Sequence, residues 1–464
     1  MPLIPLSPGL LSKLSMALLA ATGLAACTTG PAHVRPAVAL PAQFESSPAQ
    51  ADWQARHPQG FASSEAVWAV FEDAQLIRLL AAAGQGSQTL KAAEARYRSA
   101  QAALRVSEAD RLPQLDVRLK ANQNHDTGSA SSASLGLSVG WEIDLWGRIA
   151  RAVEGATATA EASAQDLAAA RLSLQAMVAQ TYFQWRATEA EAALWQRSLE
   201  ADRRLLALTR ERHAAGVVSG LDVASAETQL ANTQRSAEEN ALRARQTRHA
   251  LATLVGDPAL TLPAGAALPK VLAAPGLIPS LVVERRPDIR AAERRVAAAN
   301  ESIGQAKTAF FPTLNLSADA GLRGSHLSRI ASQPIHFWSL GPSLALTVFD
   351  ADARRAGVSR AEAEHEAVIA EYRQVVLAAF QEVQDNLAAA HGLEKQAAHQ
   401  DQALAAARRA SAIAMAQYEA GTISGLALLT TQRAEQMAEI QSLQLWERRM
   451  ATRVQLVKNL GGGA

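Results

Sequence analysis

The sequence predicts a mainly α-helical chain with a transmembrane β part, built as two copies of one structural repeat. Segments in which polar and apolar residues alternate occur in two pairs, and each segment has about the length of a membrane strand, ~9–11 residues. Each pair precedes a long helical pattern without proline, at residues 148–213 and 352–418. A helix of that length would extend roughly 100 Å at ~1.5 Å per residue. The same order of segments occurs twice, which indicates an internal repeat.

The N-terminus predicts a secreted lipoprotein. Lys13 precedes an apolar run that is too short to span a bilayer, so residues 1–26 are predicted to be a signal peptide. Cys27 is the only cysteine, and LAAC at residues 24–27 resembles a bacterial lipobox. We expect Cys27 to be acylated and residues 27–86 to form a lipidated N-terminal segment; a signal peptide that merely contains a cysteine is the alternative. The residue after the cysteine is Thr28. An aspartate at that position would favour retention in the inner membrane, so we expect sorting to the outer membrane.

The first repeat is predicted to occupy residues 87–256. It starts with a helix, followed by strands at 114–124 and 134–146 that a polar loop connects. The second strand shows the alternation most clearly, because every other residue is apolar: Leu135, Leu137, Val139, Trp141, Ile143 and Leu145. The long helix 148–213, the tight turn 214–221 and a returning helix complete the repeat.

A proline-rich linker and a second repeat follow. Residues 257–286 contain too many prolines for a helix, and residues 287–460 repeat the first plan. AAEARY at 92–97 recurs as AAERRV at 291–296. The predicted parts of this repeat are strands at 313–323 and 339–350, the long helix 352–418, the turn 419–425 and a returning helix, before a tail at 461–464. Pro342 predicts an edge strand or a bulge.

The strand count predicts an oligomer. Four amphipathic strands cannot close a barrel, and open sheet edges do not occur in lipid. Membrane barrels need at least about eight strands, so two chains would give a narrow barrel, and three chains would give twelve strands and a pore. We predict a homotrimer, although the sequence itself excludes only the monomer. The polar strand positions carry both signs of charge, which predicts an aqueous lumen without strong charge selectivity.

Composition and spacing argue against several other functions. Lys and Arg number 45 against 44 Asp and Glu, so net charge gives no reason to expect a nucleic-acid partner. The ten histidines are scattered, and no cluster has the spacing of metal ligands or of catalytic groups. We therefore predict that the chain is not an enzyme, with no catalytic residues, no metal and no cofactor.

Several motifs, which together span nearly the whole chain, carry a family resemblance. They are LAAC at 24–27, WEIDLWGR at 141–148, ERRPDIRAAE at 284–293, FFPTL at 310–314, FDADARR at 349–355 and the two turns AGVVSGL and AGTISGL. With them the chain resembles the TolC-like outer membrane factors, most closely the lipidated OprM/NodT-type branch of RND efflux systems. The resemblance implies a trimeric 12-stranded β-barrel continuous with a long α-helical periplasmic barrel, plus an equatorial region that includes the linker.

The resemblance also implies partners and sites. The implied function is the outer membrane channel of a tripartite efflux pump, a passive conduit for small toxic compounds. Its partners would be a periplasmic adaptor (membrane fusion) protein, an inner-membrane RND transporter and outer membrane lipid. Family members contact the adaptor through the two helical turns, which here contain Gly216, Ser219, Gly220, Gly421, Ser424 and Gly425. Related channels close at this end with leucine and aspartate.

The implied periplasmic gate departs from the family pattern. Leu426 matches the leucine, whereas the aspartate positions fall on Ala427 and Thr430, and Asp222 occupies the corresponding place in the first turn. Two other functions remain open at this point. One is an outer membrane channel for type I protein secretion, and the other is a coiled-coil periplasmic lipoprotein that forms no pore.

Overall fold

A computed structural model describes residues 29–41, 44, 68–126, 128–263, 267–271, 285–326, 330, 332 and 334–461. Its principal elements are seven helices and four strands within these residues. The helices are α1 Ala74–Gly86, α2 Gln88–Ala109, α3 Arg148–Ala214, α4 Gly220–Val255, α5 Pro287–Thr308, α6 Ala353–Glu419 and α7 Gly425–Asn459. The strands are β1 Gln114–Asp126, β2 Gly128–Ile143, β3 Thr313–Gly324 and β4 Ile335–Ala345.

One compact unit contains the sheet and comprises residues 1–37, 95–165 and 290–374. Its four strands are antiparallel and lie in the order β1-β2-β3-β4. All the helices of this unit join the same end of the sheet, and the two hairpin turns lie at the other end. Asp144 helps to start α3, because its Oδ2 accepts a hydrogen bond from the backbone N–H of Ala150 at 2.7 Å.

The second unit is helical and comprises residues 38–94, 166–289 and 375–464. A core cluster of this unit contains buried aromatic and aliphatic side chains of α1, α3, α4 and α7, among them Leu76, Phe183, Leu251 and Met450. The described part of the linker is fixed to this core, because Arg186 donates to Ala267 O at 2.5 Å and Trp446 Nε1 donates to Pro269 O at 3.0 Å.

The hairpin between β1 and β2 is longer than the sequence predicts. The polar run expected to form a loop between 114–124 and 134–146 is strand up to Asp126 and again from Gly128, with Asn122 opposite Ser132. The strand prediction was wrong here because it required an apolar face. Backbone hydrogen bonds continue an antiparallel pair whatever the side chains are.

The other ends of the strands are set by the partner strand. The prediction of strand at 339–350 was wrong at both ends, since β4 starts at Ile335 and stops at Ala345. Ala345 pairs with Thr313, the first residue of β3, so the apolar residues after it have no strand to pair with. For the same reason β2 ends at Ile143, opposite Leu314, rather than at residue 146. Pro342 lies on β4, an edge strand of this sheet, which agrees with one of the two predicted alternatives; its register is unbroken, so the other alternative, a bulge, does not occur.

Candidate functional sites: the amphipathic sheet and the two helical turns

The register places most apolar residues of the four strands on one face of the sheet, whereas Ile335 and Phe337 lie on the other face. Alternate side chains of a strand point to the same face, and the pairing aligns Val117, Leu137, Ala320 and Trp338 in one row. The other members of this apolar face are Leu115, Leu119, Leu135, Val139, Trp141, Ile143, Leu314, Leu316, Ala318, Leu322, Leu340 and Leu344.

This apolar face is exposed in the isolated chain. Val117 is 72% exposed, Trp338 80% and Leu340 66%. Water-soluble monomers rarely expose contiguous apolar patches larger than a few hundred Å². The opposite face carries charged side chains, including Asp116, Arg118, Lys120, Asp319 and Arg323. The sheet therefore has the character of a strand layer between lipid and water.

The two outer strands of the sheet each have an edge without a partner strand. Among the described residues, β1 pairs only with β2, and β4 pairs only with β3. Because there are four strands in antiparallel order, β1 and β4 run in opposite directions. The β4 edge of one chain can therefore pair in antiparallel fashion with the β1 edge of another, and this head-to-tail contact can close into a ring.

Aromatic residues lie at the end of the sheet that is joined to the helices. The Trp146 ring stacks on Phe311 with centroids 4.8 Å apart, and its Nε1 donates a hydrogen bond to Pro312 O at 2.7 Å. Thr29 lies at the same place, because its Oγ1 donates to Trp146 O at 3.0 Å. Tryptophan with a bonded indole N–H is typical of membrane interfaces.

The segment after Thr29 lies along the helices of the same unit. Pro31 O accepts a hydrogen bond from Asn300 Nδ2 at 3.0 Å, and His33 Nε2 lies 2.8 Å from Glu293 Oε1. The Arg294 guanidinium and His33 lower the pKa of Glu293 against the opposing effect of its burial. Cys27, the predicted lipidation site, lies outside the described residues.

The two helical turns have closely similar backbones. Gly216 has φ +73° and Gly421 has φ +76°, a left-handed conformation that favours glycine at helix ends. Ser219 and Ser424 are the N-caps of α4 and α7, accepting from the N–H of Asp222 and Ala427 at 3.3 Å in each case.

The predicted gate residues have distinct environments at these turns. Asp222 completes a capping box, since its carboxylate accepts from the Ser219 backbone N–H at 3.0 Å. Thr430 Oγ1 donates within its own helix to Leu426 O at 2.8 Å, and the Leu426 side chain is 63% exposed.

The two turns lie side by side, because a Cβ placed on Gly425 would be 3.7 Å from Asp222 Oδ1. Gly220 opens helix α4.

Contacts between the turns depend on Arg212 and Tyr418, neither of which was predicted from the sequence as a site residue. Arg212 donates to Tyr418 O at 3.0 Å and to Glu419 O at 3.3 Å, and its guanidinium lies 4.4 Å from the Tyr418 ring centroid. Tyr418 is buried, with its hydroxyl 3.3 Å from Thr209 Oγ1. Arg212 therefore caps the C-terminus of α6 from the end of α3.

Further from the turns, a buried polar cluster connects three helices. Asp202 of α3 accepts from Thr233 Oγ1 of α4 at 2.6 Å, and Arg433 of α7 donates to Gln229 of α4 at 2.5 Å. Burial raises the pKa of Asp202, while hydrogen bonds from Thr233 and Gln229 oppose the rise. The sequence gave no signal for this cluster, because each residue alone has an ordinary helical context.

None of the helices among the described residues is both long enough and apolar enough to cross a bilayer. No group of three or more His, Cys, Asp or Glu side chains in that part of the chain is placed to hold a metal ion.

Comparison with known proteins identifies the family. The family model for outer membrane efflux proteins matches residues 79–257 and 278–462. The outer membrane protein OprJ of Pseudomonas aeruginosa is 32% identical over 463 residues, which covers 96% of this chain and 95% of OprJ. The toluene efflux pump outer membrane protein TtgI of Pseudomonas putida is 31% identical over 468 residues, covering 97% of this chain and 98% of TtgI.

A solved structure agrees with the sequence comparisons. The outer-membrane channel OprN superimposes with a TM-score of 0.84 at 31% identity, covering 94% of this chain and 99% of that chain. The residues matched by the family model include those of the sheet and of both helical turns. The chain belongs to the outer membrane efflux protein family, whose members are transport conduits of the outer membrane rather than enzymes.

Proposed function

We propose that three copies of this chain form a pore through the outer membrane that exports small toxic compounds from the periplasm. The observation that carries this proposal is the register of the sheet, which puts an exposed apolar face and a charged face on opposite sides of four strands. Three such sheets joined edge to edge would give twelve strands, a polar lumen and a lipid-facing exterior. The repeats at 87–256 and 287–460 each supply two strands.

The helical turns supply the contact to the other parts of the pump. We infer that the first turn and the second turn bind a periplasmic adaptor, which connects the pore to an inner-membrane transporter of the RND class. Val217 and Leu221 in the first turn are 71% and 74% exposed, as expected of a surface that a partner covers. Leu426, Thr430 and Asp222 would narrow the opening there. The transporter would supply the energy, and this chain would act as a conduit with no catalytic step.

Deletion of the gene tests the proposed function. TtgI is named for the efflux of toluene, and we propose small apolar toxic compounds for this chain as well. A strain that lacks redundant channels should become sensitive to at least one compound of a broad panel, and the wild-type gene should restore resistance. Unchanged susceptibility across the panel would contradict the proposal. If the deletion abolishes the export of one secreted protein and leaves resistance unchanged, the result would favour a type I secretion channel.

We propose that Cys27 is acylated and anchors the chain to the outer membrane. Thr29, two residues further on, is hydrogen-bonded to Trp146 at the end of the sheet where aromatic residues collect. An acyl group on Cys27 would therefore enter the same membrane interface. A single acyl chain binds membranes only marginally, so the strands would supply the main attachment.

Metabolic labelling tests this lipid anchor. With radioactive palmitate, the wild-type protein should be labelled and Cys27→Ser should not. Thr28→Ser keeps the cysteine and serves as the matched control, which should be labelled like the wild type. Label on Cys27→Ser, or its absence from the wild type, would show that the proposal is wrong.

A further inference from the structure

The register sorts the charges of the polar face into separate rows. Asp116 and Asp319 share one row, because both are aligned with Ser138 of β2. Lys120 and Arg323 share another row, because both are aligned with Ser134. The basic row lies nearer the hairpin turns. The mixed signs along the sequence therefore become an acidic row and a basic row in the sheet.

The basic row lies too far from the acidic row for the acidic side chains to neutralise its charge. Four residues along a strand separate Asp116 from Lys120, about 14 Å at ~3.4 Å per residue. This exceeds the Debye length of about 8 Å at physiological ionic strength. Arg118 lies between the rows and pairs with Asp116 at 3.3 Å. Among the described residues, neither Lys120 nor Arg323 has a carboxylate partner, and both are exposed.

An aromatic ring holds the arginine of the basic row in place. The Arg323 guanidinium lies 4.9 Å from the centroid of Phe337. Phe337 in turn covers Gly136 and Gly321, which face each other on adjacent strands. A Cβ on Gly321 would lie 3.0 Å from the Phe337 ring and would collide with Leu135 O, and a Cβ on Gly136 would lie 3.3 Å from the ring. The two glycines thus leave the space that Phe337 occupies.

We propose that Lys120 and Arg323 form a basic ring near the outer end of the pore that concentrates anionic solutes there. The inference rests on the proposed function, because only assembly of three copies brings six of these charges around one lumen. Two strand spacings of ~4.8 Å separate the two side chains within a chain. Charge of one sign in a confined channel raises the local concentration of oppositely charged solutes. Solutes with carboxylate or phosphate groups would therefore be favoured at this end.

Reversal potentials in planar lipid bilayers test the basic ring. Purified wild-type protein in a tenfold gradient of KCl gives the reference chloride-to-potassium permeability ratio. The double variant Lys120→Gln/Arg323→Gln should reduce the chloride-to-potassium permeability ratio by at least about threefold. The variant Lys120→Arg/Arg323→Lys keeps both charges and is the matched control, so its ratio should stay within error of the wild type.

A second measurement uses a multivalent anion as the probe. Inositol hexakisphosphate should block the wild-type current from the hairpin side, and the double glutamine variant should lose this block. Ion currents with the same permeability ratio in the wild type and the glutamine variant would overturn the basic ring alone. Absence of ion current from all the proteins would overturn the pore itself and the basic ring with it.

Discussion

Leu340→Lys is expected to prevent assembly of the trimer in the outer membrane. Leu340 lies in the middle of β4, on the exposed apolar face, opposite Ala318. A lysine on the lipid face at the bilayer midplane costs about 2–4 kcal/mol. Three copies would each carry it, so the assembled barrel would lose roughly 6–12 kcal/mol by the same estimate. We expect at least a tenfold decrease in assembled protein.

The neighbouring residue supplies the matched control. Ser339 is on the polar face, where its Oγ donates to Asp319 Oδ2 at 3.3 Å, so Ser339→Lys would place the same charge in the lumen beside a carboxylate. The measurement is the amount of heat-resistant oligomer in unboiled outer membrane samples after electrophoresis. Equal amounts of oligomer from the two lysine variants would mean that the apolar face does not contact lipid.

Arg212→Ala is expected to shift the helical turns toward an open state. The guanidinium makes two hydrogen bonds to carbonyl groups at the end of α6 and stacks on Tyr418. Hydrogen bonds to charged groups contribute about 1.5–3 kcal/mol, and a partly exposed cation–π contact adds about 0.5–1 kcal/mol. Loss of even 1.4 kcal/mol changes a two-state equilibrium about tenfold. The time-averaged conductance of the purified channel should therefore rise several-fold.

Arg210→Ala is the control for the turn experiment. Arg210 lies two residues away and pairs with Glu227 of the following helix at 2.7 Å, with side chains 60% and 48% exposed. Such surface pairs contribute little, about 0–1 kcal/mol, and this pair does not reach the second turn. Conductance should stay at the wild-type level. If the two alanine variants conduct alike, Arg212 does not hold the turns closed.

Much of the fold could be predicted because its signals are local. Strict alternation from Leu135 to Ile143 is a property of the strand itself, and the proline-free stretch that becomes α3 needs no tertiary information to be predicted as a helix. The turn glycines Gly216 and Gly421 follow the same principle, because a left-handed conformation favours glycine wherever it occurs.

The ends of the strands could not be predicted for a physical reason. β4 stops at Ala345 because β3 begins opposite it, not because the apolar pattern ends there. The polar residues up to Asp126 are strand because the partner strand continues beside them. In both cases a residue far away in the sequence decides the outcome.

The candidate sites divide in the same way. The capping serines Ser219 and Ser424 could be predicted from the turn sequence, and the structure shows both as caps. Arg212 and Asp202 could not, since an arginine near a helix end or an aspartate within a helix is common. Their contacts join residues about 206 and 31 positions apart.

The sequence by itself determined that the chain has two-faced strands, very long helices and a repeated plan, because each of these depends on the order of polar, apolar and helix-breaking residues. Only the tertiary structure decided which charges share a row. Charges of both signs occur along β1, and pairing with β2 and β3 places Lys120 in the same row as Arg323 and Asp116 in the same row as Asp319. Register is a relation between strands, and so it is not contained in any one of them.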